Sequence, residues 1–218
     1  PAGRVLPGMK PFRVAMIAAC PFPAGRGTPI RIQRIAEALA RRGHDVDVIT
    51  YHLGSRSGPH VYGIHRIANV RTYQNESQGP SLQKLLLLDP LLALKLLRMA
   101  RVRRYDLIHA HHVEGLLAAL PTRYLMRVPV IFDVHTLLES ELPYYGLGLP
   151  RAVVVTVGRM IDSWLPARAD YLIAVSEQIR TALKERSGVT DESISLVPNG
   201  VEDEFFERLS NVAPAAQD

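Results

Sequence analysis

The chain has 218 residues, of which 47% are hydrophobic, with a formal net charge of +5 and a pI near 9.6. This length buries one large core without disulfides or metal, and the single Cys20 cannot form an internal bridge, which fits a reducing compartment. Aromatic residues are scarce and are not interleaved with basic ones, so the positive charge does not indicate nucleic-acid binding. The sequence has no signal-peptide pattern and no run of roughly 20 uncharged apolar residues, so it predicts a soluble, cytoplasmic protein.

The first quarter of the chain has the pattern of a βαβ unit, in which strand-length apolar runs alternate with amphipathic stretches. Residues 13–19 are the first predicted strand, and a loop rich in proline and glycine follows. Residues 30–42 have one apolar helical face, and Gly43 marks the helix end. Residues 45–51 alternate as a second strand, which predicts a parallel sheet.

A weaker strand at residues 61–67 and a loop at 71–80 lead to a leucine-rich, basic stretch at residues 82–104. Proline disfavours helix in the residue before it, so Asp89-Pro90 predicts a break or two helices. The stretch has two interpretations. It is either core, or a surface that docks on an anionic membrane.

The βα pattern then repeats to the end of the predicted domain. Strands are expected at residues 106–111, 130–134, 171–175 and 194–197, and helices at 113–126, 151–164 and from Ser176 to about residue 186. Residues 198–200 (Pro-Asn-Gly) turn the chain. The predicted class is α/β, a Rossmann-like parallel sheet with helices on both faces.

Ligands of open α/β sheets bind outside the carboxyl ends of the strands, where helix N-termini present free N–H groups. Most of the unusual polar and glycine residues of this sequence follow predicted strands, so they should meet at that edge. They are Gly25, Gly27, Thr28, His109, His111, His112, Glu114, Asp133, His135, Glu139, Ser176, Asn199 and Gly200.

The loop PAGRGTP can bring backbone amides, the Arg26 guanidinium and a helix dipole to one anion. It lacks the third glycine of the dinucleotide fingerprint and the Gly-Lys-Ser/Thr of a P-loop, which weighs against hydride transfer and ATP hydrolysis. A tight turn that only positions the helix is the competing interpretation.

The histidines that follow strands are candidates for contact with a sugar. His135 can hold a sugar hydroxyl or support charge at an anomeric carbon, or it can be a satisfied core histidine. His109 is expected to point inward, whereas His111 lies closer to the edge. Asp133 shares a strand face with His135, so it either orients that imidazole or serves a helix N-terminus.

Other polar residues have plainer interpretations. Ser176 lies in AVSEQ, without the flanking glycines of a nucleophile elbow, and is expected to cap a helix. Glu139 and Glu141 are adjacent in sequence, which does not give the opposed acids of a glycosidase, so they are acceptor contacts or surface acids. No Cys/His cluster has metal-ligand spacing, and no metal site is predicted.

Five stretches in order resemble glycosyltransferase family 4, whose enzymes have two Rossmann-like domains facing each other, the GT-B fold. They are FRVAMIAACPFPAGRGTPIRIQRIAEALARRGHDVDVIT, YDLIHAHH, VPVIFDVHTLLESELP, ADYLIAVSEQIRTAL and ISLVPNGVEDEFF. The resemblance covers most of residues 12–206. It implies the N-terminal half of a GT-B fold, with a retaining mechanism that needs no metal.

The resemblance also implies roles for particular residues. His135 approaches the transferred sugar and is the catalytic candidate, and the loop from Gly25 to Thr28, with Arg26 and Gly27, faces the donor diphosphate or the acceptor. The other substrate-binding candidates, of which the first three would recognise the acceptor, are His111, His112, Glu139, Ser176 and Asn199. The expected co-substrate is a sugar nucleotide, with no other cofactor.

The implied domain organisation is an arm at residues 1–11, an acceptor-side domain at 12–201 and the start of an interdomain passage with a tail at 202–218. A C-terminal donor-binding domain is absent from this sequence, so the chain is expected to be inactive alone. The acceptor could be lipid-linked. Two alternatives stay open: a non-catalytic module that binds a sugar or phosphate ligand, and half of a GT-B-like epimerase or phosphorylase.

Overall fold

A computed structural model of the chain describes residues 10–25, 27–55, 58–75, 81, 83–144 and 148–200. In this part of the chain the strands are β1 Arg13–Ala18, β2 Asp45–Thr50, β3 Gly63–Arg66, β4 Leu107–His111, β5 Val130–Val134, β6 Tyr171–Ala174 and β7 Ile194–Leu196. The α-helices are α1 Gly27–Arg41, α2 Asp89–Arg103, α3 His112–Met126, α4 Leu138–Glu141, α5 Arg151–Trp164 and α6 Glu177–Ser187.

The strands form one parallel sheet in the order β3-β2-β1-β4-β5-β6-β7. β1 lies near the centre, where Met16 pairs with Val48 of β2 on one side and with His109 of β4 on the other. The chain runs outward from β1 to β3, then returns to the other side of β1 and runs outward again from β4 to β7. The predicted Rossmann-like class is therefore confirmed.

Alternation along β1 divides the core between the two faces of the sheet. On one face, Val14 and Met16 pack with Ile32 and Ala36 of α1. On the other face, Ala15 and Ile17 belong to a larger cluster with apolar residues of α2, α3 and α6. Helices therefore cover both faces, as the long apolar runs of the strands predicted.

The leucine-rich stretch forms two helical segments that meet at Asp89. A π-helix spans Lys84–Leu88, and α2 follows with Pro90 in its first turn, where the missing N–H costs no helical hydrogen bond. The expected junction at Asp89-Pro90 thus appears as a change of helix type. Leu92 and Leu96 are fully buried in the larger core cluster, so one face of this stretch is core.

The segment after β5 is held by α5. Both carboxylate oxygens of Asp162 in α5 accept backbone N–H groups at the start of α4, from Leu138 and Glu139, at 2.9 Å each. Gly158 of α5 lies against the backbone of Glu139, where a Cβ at Gly158 would come within 2.5 Å. The sequence predicted α5 but not the short helix that it supports.

Candidate active site

The centre of the sheet contains the topological switch point. β1 and β4 are neighbours, yet β1 leads to α1 on one face and β4 leads to α3 on the other. Loops that diverge in this way leave a crevice at the carboxyl ends of the strands, where open α/β sheets bind their ligands. The loop with Gly25 and Gly27 and the end of β4 lie at this edge, as the sequence predicted.

Three imidazoles and one carboxylate meet beside this crevice. His111 ends β4 and pairs in register with Asp133 of β5, while His135 follows β5 directly. The His111 Nδ1 lies 3.3 Å from the His135 Nε2 and 3.3 Å from an Asp133 oxygen. His109 lies two residues earlier on β4, and its Nε2 is 3.8 Å from the same oxygen. Asp133 therefore faces the histidines, as one of its two predicted roles required.

Arg31 of α1 completes the cluster and was not among the predicted site residues. Its guanidinium donates from Nε and Nη2 to the two oxygens of Asp133, at 2.9 and 3.2 Å. The Arg31 side chain is 8% exposed and that of Asp133 is fully buried. A bidentate, buried pair of this kind is strong and directional, so Asp133 is held in one orientation.

The charges of the cluster follow from burial and from these contacts. Burial alone would raise the pKa of Asp133, but hydrogen bonds from His111 and Arg31 outweigh it and hold the pKa well below its usual value. Burial lowers the pKa of His135 to about 2, with the neighbouring His112 and His111 adding to the effect. Burial likewise lowers the pKa of His109 to about 3. At neutral pH the cluster therefore contains one arginine–aspartate ion pair and the neutral imidazoles of His109 and His135.

One possible ligand atom from each of His109, His111 and Asp133 lies within 4.8 Å of the other two, close enough for one metal ion. Both Asp133 oxygens already accept hydrogen bonds from Arg31. The positive charge beside the carboxylate is thus a guanidinium, which disfavours a second cation at the same place.

A pocket opens beside His135. His112, the first residue of α3, stacks on the His135 ring with centroids 5.0 Å apart. Its φ of 62° is uncommon for a residue with a side chain, and such backbone strain occurs preferentially at functional sites. Burial lowers the pKa of His112 to about 4, so this ring is also neutral. The pocket is lined by His112, Val113, Glu114, Phe132, His135, Thr136, Leu138 and Glu141.

Glu139 lies apart from this pocket, although the sequence grouped it with the histidines. Its carboxylate forms ion pairs with Arg159 of α5, at 3.0 Å, and with Arg186 of α6. These arginines outweigh the effect of burial and lower the pKa of Glu139. The acids that line the pocket are Glu114 and Glu141. The sequence could have indicated them only if the positions of α3 and α4 relative to His135 had been known.

The glycine loop presents open backbone to the crevice. Gly25 and Gly27 are exposed, and a Cβ at either would meet no atom within 4 Å. Thr28 is half-buried in the first turn of α1, and Arg26 lies outside the described residues. Space above this loop and the N-terminus of a 15-residue helix suit an anionic group.

Ser176 and Asn199 have partners within the protein. Ser176 is the N-cap of α6, where its hydroxyl accepts the N–H of Ile179 at 3.3 Å, as predicted. The Asn199 side-chain oxygen accepts a hydrogen bond from Arg31 at 3.1 Å. The structure brings together His111, His112 and His135, and it places Asn199 on the far side of Arg31 from them.

A second buried polar group lies under the site. Lys84 of the π-helix is 2% exposed, and Asp89 at the start of α2 accepts a short hydrogen bond from Tyr51. Burial lowers the pKa of Lys84, opposed by the nearby Glu114. Burial raises the pKa of Asp89 to about 6. The sequence pattern indicated no special role for Lys84, because a lysine among leucines usually extends to solvent.

The fold is the Rossmann-like α/β fold that also occurs in GT-B glycosyltransferases. Sucrose-phosphate synthase from Thermosynechococcus elongatus superposes with a TM-score of 0.66 at 18% identity, over 87% of this chain and 48% of that one. HepE from Anabaena, in complex with UDP and glucose, gives a TM-score of 0.55 at 16% identity, over 91% and 49%. These matches establish the shared fold.

The family follows from the sequence match. The profile of Glycosyltransferase Family 4 matches residues 25–205, and the chain belongs to this family. A D-inositol 3-phosphate glycosyltransferase from Acidothermus cellulolyticus is 30% identical over 90% of this chain and 46% of its own length. The chain therefore spans about half the length of the curated relatives it matches. In the described part of the chain, no helix combines the length and apolarity needed to cross a bilayer.

Proposed function

We propose that this chain is the acceptor-binding half of a retaining glycosyltransferase that moves a sugar from a sugar nucleotide to an acceptor hydroxyl. The observation that carries the proposal is the cluster of buried imidazoles around the Asp133–Arg31 pair, beside the open glycine loop at the switch point. Family membership supplies the reaction class. The relatives' length supports a second, donor-binding domain as partner.

His135 is the proposed catalytic residue, and its chemistry follows from its charge. A histidine that stays neutral can donate and accept hydrogen bonds but does not act as an acid at neutral pH. We therefore assign it the positioning of a sugar hydroxyl and stabilisation of the transition state through that bond. Positioning and electrostatics account for most of the rate in such reactions, without covalent work by the side chain.

The acceptor would bind across the mouth of the small pocket that His112 and His135 line. Glu114 and Glu141 lie in its lining, and hydroxyl groups donate hydrogen bonds to carboxylates. The glycine loop would receive the donor diphosphate from the other side of the cleft, with no cofactor beyond the sugar nucleotide. Glu139, Ser176 and Asn199, which the structure engages elsewhere, would act through the elements they hold.

His135→Ala should abolish most transfer in an enzyme that combines this chain with a donor-binding domain of the family. Loss of one preorganised hydrogen bond to the transition state predicts a drop in kcat on the order of 100-fold. His44→Ala is the matched control, because His44 lies at the opposite edge of the sheet, beside Phe12. An equal loss in both variants, or turnover unchanged by His135→Ala, would contradict the assignment.

Isothermal titration of the chain alone separates the enzyme half from a non-catalytic module. The enzyme half should bind an acceptor and bind sugar nucleotide weakly, and transfer should appear only when the donor domain is added. Tight binding of a sugar nucleotide by this chain alone would support the module instead. Inositol 3-phosphate is the first acceptor to test, since the curated relatives act on it by name.

We further propose peripheral contact between this protein and an anionic membrane, which would bring it to a lipid-linked acceptor on the cytoplasmic face. Leu85, Leu86 and Leu87 are 47%, 69% and 44% exposed at the start of the leucine-rich stretch, and Arg98 and Arg101 are exposed further along α2. Apolar and cationic groups together favour anionic interfaces. Flotation should recover the chain with phosphatidylglycerol vesicles and not with phosphatidylcholine vesicles, and recovery with neither would reject the contact.

A further inference from the structure

Arg31 connects the site to the segment by which the chain leaves the sheet. After β7 the chain continues through Val197, Pro198 and Asn199, all of them exposed. The Arg31 guanidinium donates to the carbonyl oxygen of Val197 at 3.0 Å, to that of Pro198 at 3.3 Å and to the Asn199 side-chain oxygen at 3.1 Å. These contacts span 166 to 168 positions of the sequence.

The same guanidinium binds Asp133 through two further N–H groups. A guanidinium carries five N–H donors in a rigid, planar fork. In Arg31 the Nε donates once, Nη1 twice and Nη2 twice, so every donor has a partner. Asp133 and the exit segment are thereby fixed to opposite sides of one rigid group.

We infer that Arg31 is a positioning residue that couples the direction in which the chain leaves the sheet to the orientation of the site imidazoles. Asp133 transmits the coupling, because its oxygens lie 3.3 Å from His111 and 3.7 Å from His135 while Arg31 holds them. A displacement of the exit segment would turn the fork, and the fork would turn the carboxylate that His111 and His135 face.

This inference rests on the proposed function for its consequence. A donor-binding domain that follows residue 200 is attached through the segment that Arg31 holds. Its attachment point is then fixed relative to His135, so movement of that domain and the geometry of the acceptor site depend on one another. Such coupling is reciprocal, since it is a difference in free energy shared by both ends.

The test uses the chain itself and requires no transfer activity. Arg31→Lys keeps the positive charge but offers three donors from a single point, and Arg31→Gln removes the charge. Arg41→Lys and Arg41→Gln are matched controls, because Arg41 lies on the same helix with a 63% exposed side chain. The measurements are the ¹⁵N signals of the histidine imidazoles and the exchange rate of the Val197 amide, which donates to Ala174 at 2.9 Å.

Both Arg31 variants should shift the His111 and His135 imidazole signals and accelerate exchange of the Val197 amide at least tenfold, while the Arg41 variants change neither. Unchanged signals and exchange, even with a lower melting temperature, would reduce Arg31 to a structural ion pair and overturn the inference. Imidazole signals and Val197 exchange identical to the parent chain in Arg31→Lys would also overturn the inference, because a positive charge alone would then be enough to position the site.

Asn199→Ala keeps the inference testable where the Arg31 variants fail to fold. It removes one exposed side chain from the exit segment and leaves the buried pair intact. Reciprocal coupling predicts that the imidazole signals of His111 and His135 still shift. Signals identical to those of the parent chain would overturn the inference. Neither experiment measures sugar transfer, so both can still test the coupling if the proposed function proves wrong.

Discussion

Two buried aspartates of the sheet, Asp133 and Asp47, have partners of the same types, but these partners differ in solvent exposure. Asp47 of β2 accepts hydrogen bonds from His65 and Tyr105, at 2.7 Å each, and from Arg103 at 2.9 Å. Asp133 faces His111 and His135 and binds Arg31. A carboxylate, an imidazole and a guanidinium occur in both clusters, so composition does not separate them.

Solvent exposure of the partners does separate them. Around Asp47, the Arg103 side chain is 43% exposed and that of His65 is 36% exposed. Around Asp133, no partner exceeds 8%. The His109 and His111 Nε2 atoms are also buried and have no hydrogen-bond partner among the described residues, whereas both oxygens of the Asp47 carboxylate accept hydrogen bonds. A closed polar network stabilises, and one with unused polar atoms is prepared to bind.

As the pH falls, the cluster around Asp133 should therefore lose stability before the cluster around Asp47. His109, His112 and His135 have a pKa lowered from 6.5 to about 3, 4 and 2, so the unfolded chain binds more protons than the folded one below pH 6.5. Their stabilising effect is complete above pH 6.5 and is lost as the pH falls. Each histidine should lower the free energy of unfolding by up to about 1.4 kcal/mol per pH unit.

Urea denaturation at a series of pH values measures this effect. Between pH 6.5 and 5 the three histidines together should remove about 5 kcal/mol, which is comparable to the whole stability of many domains. His109→Gln should reduce the slope of the free energy of unfolding against pH by the contribution of one proton, about 1.4 kcal/mol per pH unit. Asp47, with a pKa lowered to about 2, adds its own loss only below pH 3.8. A free energy of unfolding that stays constant from pH 7 to 5 would show that these imidazoles are not held neutral.

Removal of the charge should rank the two aspartates in the same order. Asp133→Asn leaves the Arg31 guanidinium buried without its counter-charge, which should cost about 3–5 kcal/mol. Asp47→Asn should cost about 1–2 kcal/mol, because Arg103 can turn to water. Chemical denaturation at pH 7 compares them, and equal losses would mean that partner exposure does not decide their energetic roles.

Ser176→Ala tests a polar residue that belongs to neither cluster. The Ser176 hydroxyl satisfies one N–H at the start of α6, and loss of an N-cap costs about 1 kcal/mol. Thermal unfolding should show this small loss, while acceptor binding to the chain stays within twofold of the parent. A large loss of acceptor affinity at unchanged stability would instead support direct contact between Ser176 and the substrate.

The sequence predicted the parts of this molecule that depend on local pattern. Long apolar runs predicted β1 and β5, and the period of two along a strand placed Asp133 and His135 on one face. The order of strands and loops then placed the histidines and the glycine loop at one edge. These features need no knowledge of which helix packs where.

Features that depend on packing between distant elements escaped prediction. Arg31 is one of several arginines in α1, and its partner Asp133 lies 102 positions away. Lys84 of the π-helix is buried, which no pattern of leucines indicates. The role of Glu139 in acceptor recognition stays a prediction, and its ion pairs with two arginines of later helices could not be predicted from local pattern. The domain limits at 12–201 stay a prediction, since residues 1–9 and 201–218 lie outside the described part of the chain.

Gly158 has a consequence for how the site can respond to a ligand. The backbone of α5 touches the backbone of Glu139 at this glycine, and Asp162 holds the same segment one helical turn later. The stretch that follows His135 is thus braced against a whole helix at two points. It forms a rigid wall rather than an adaptable lid, so selection among acceptors at this wall would depend on their shape.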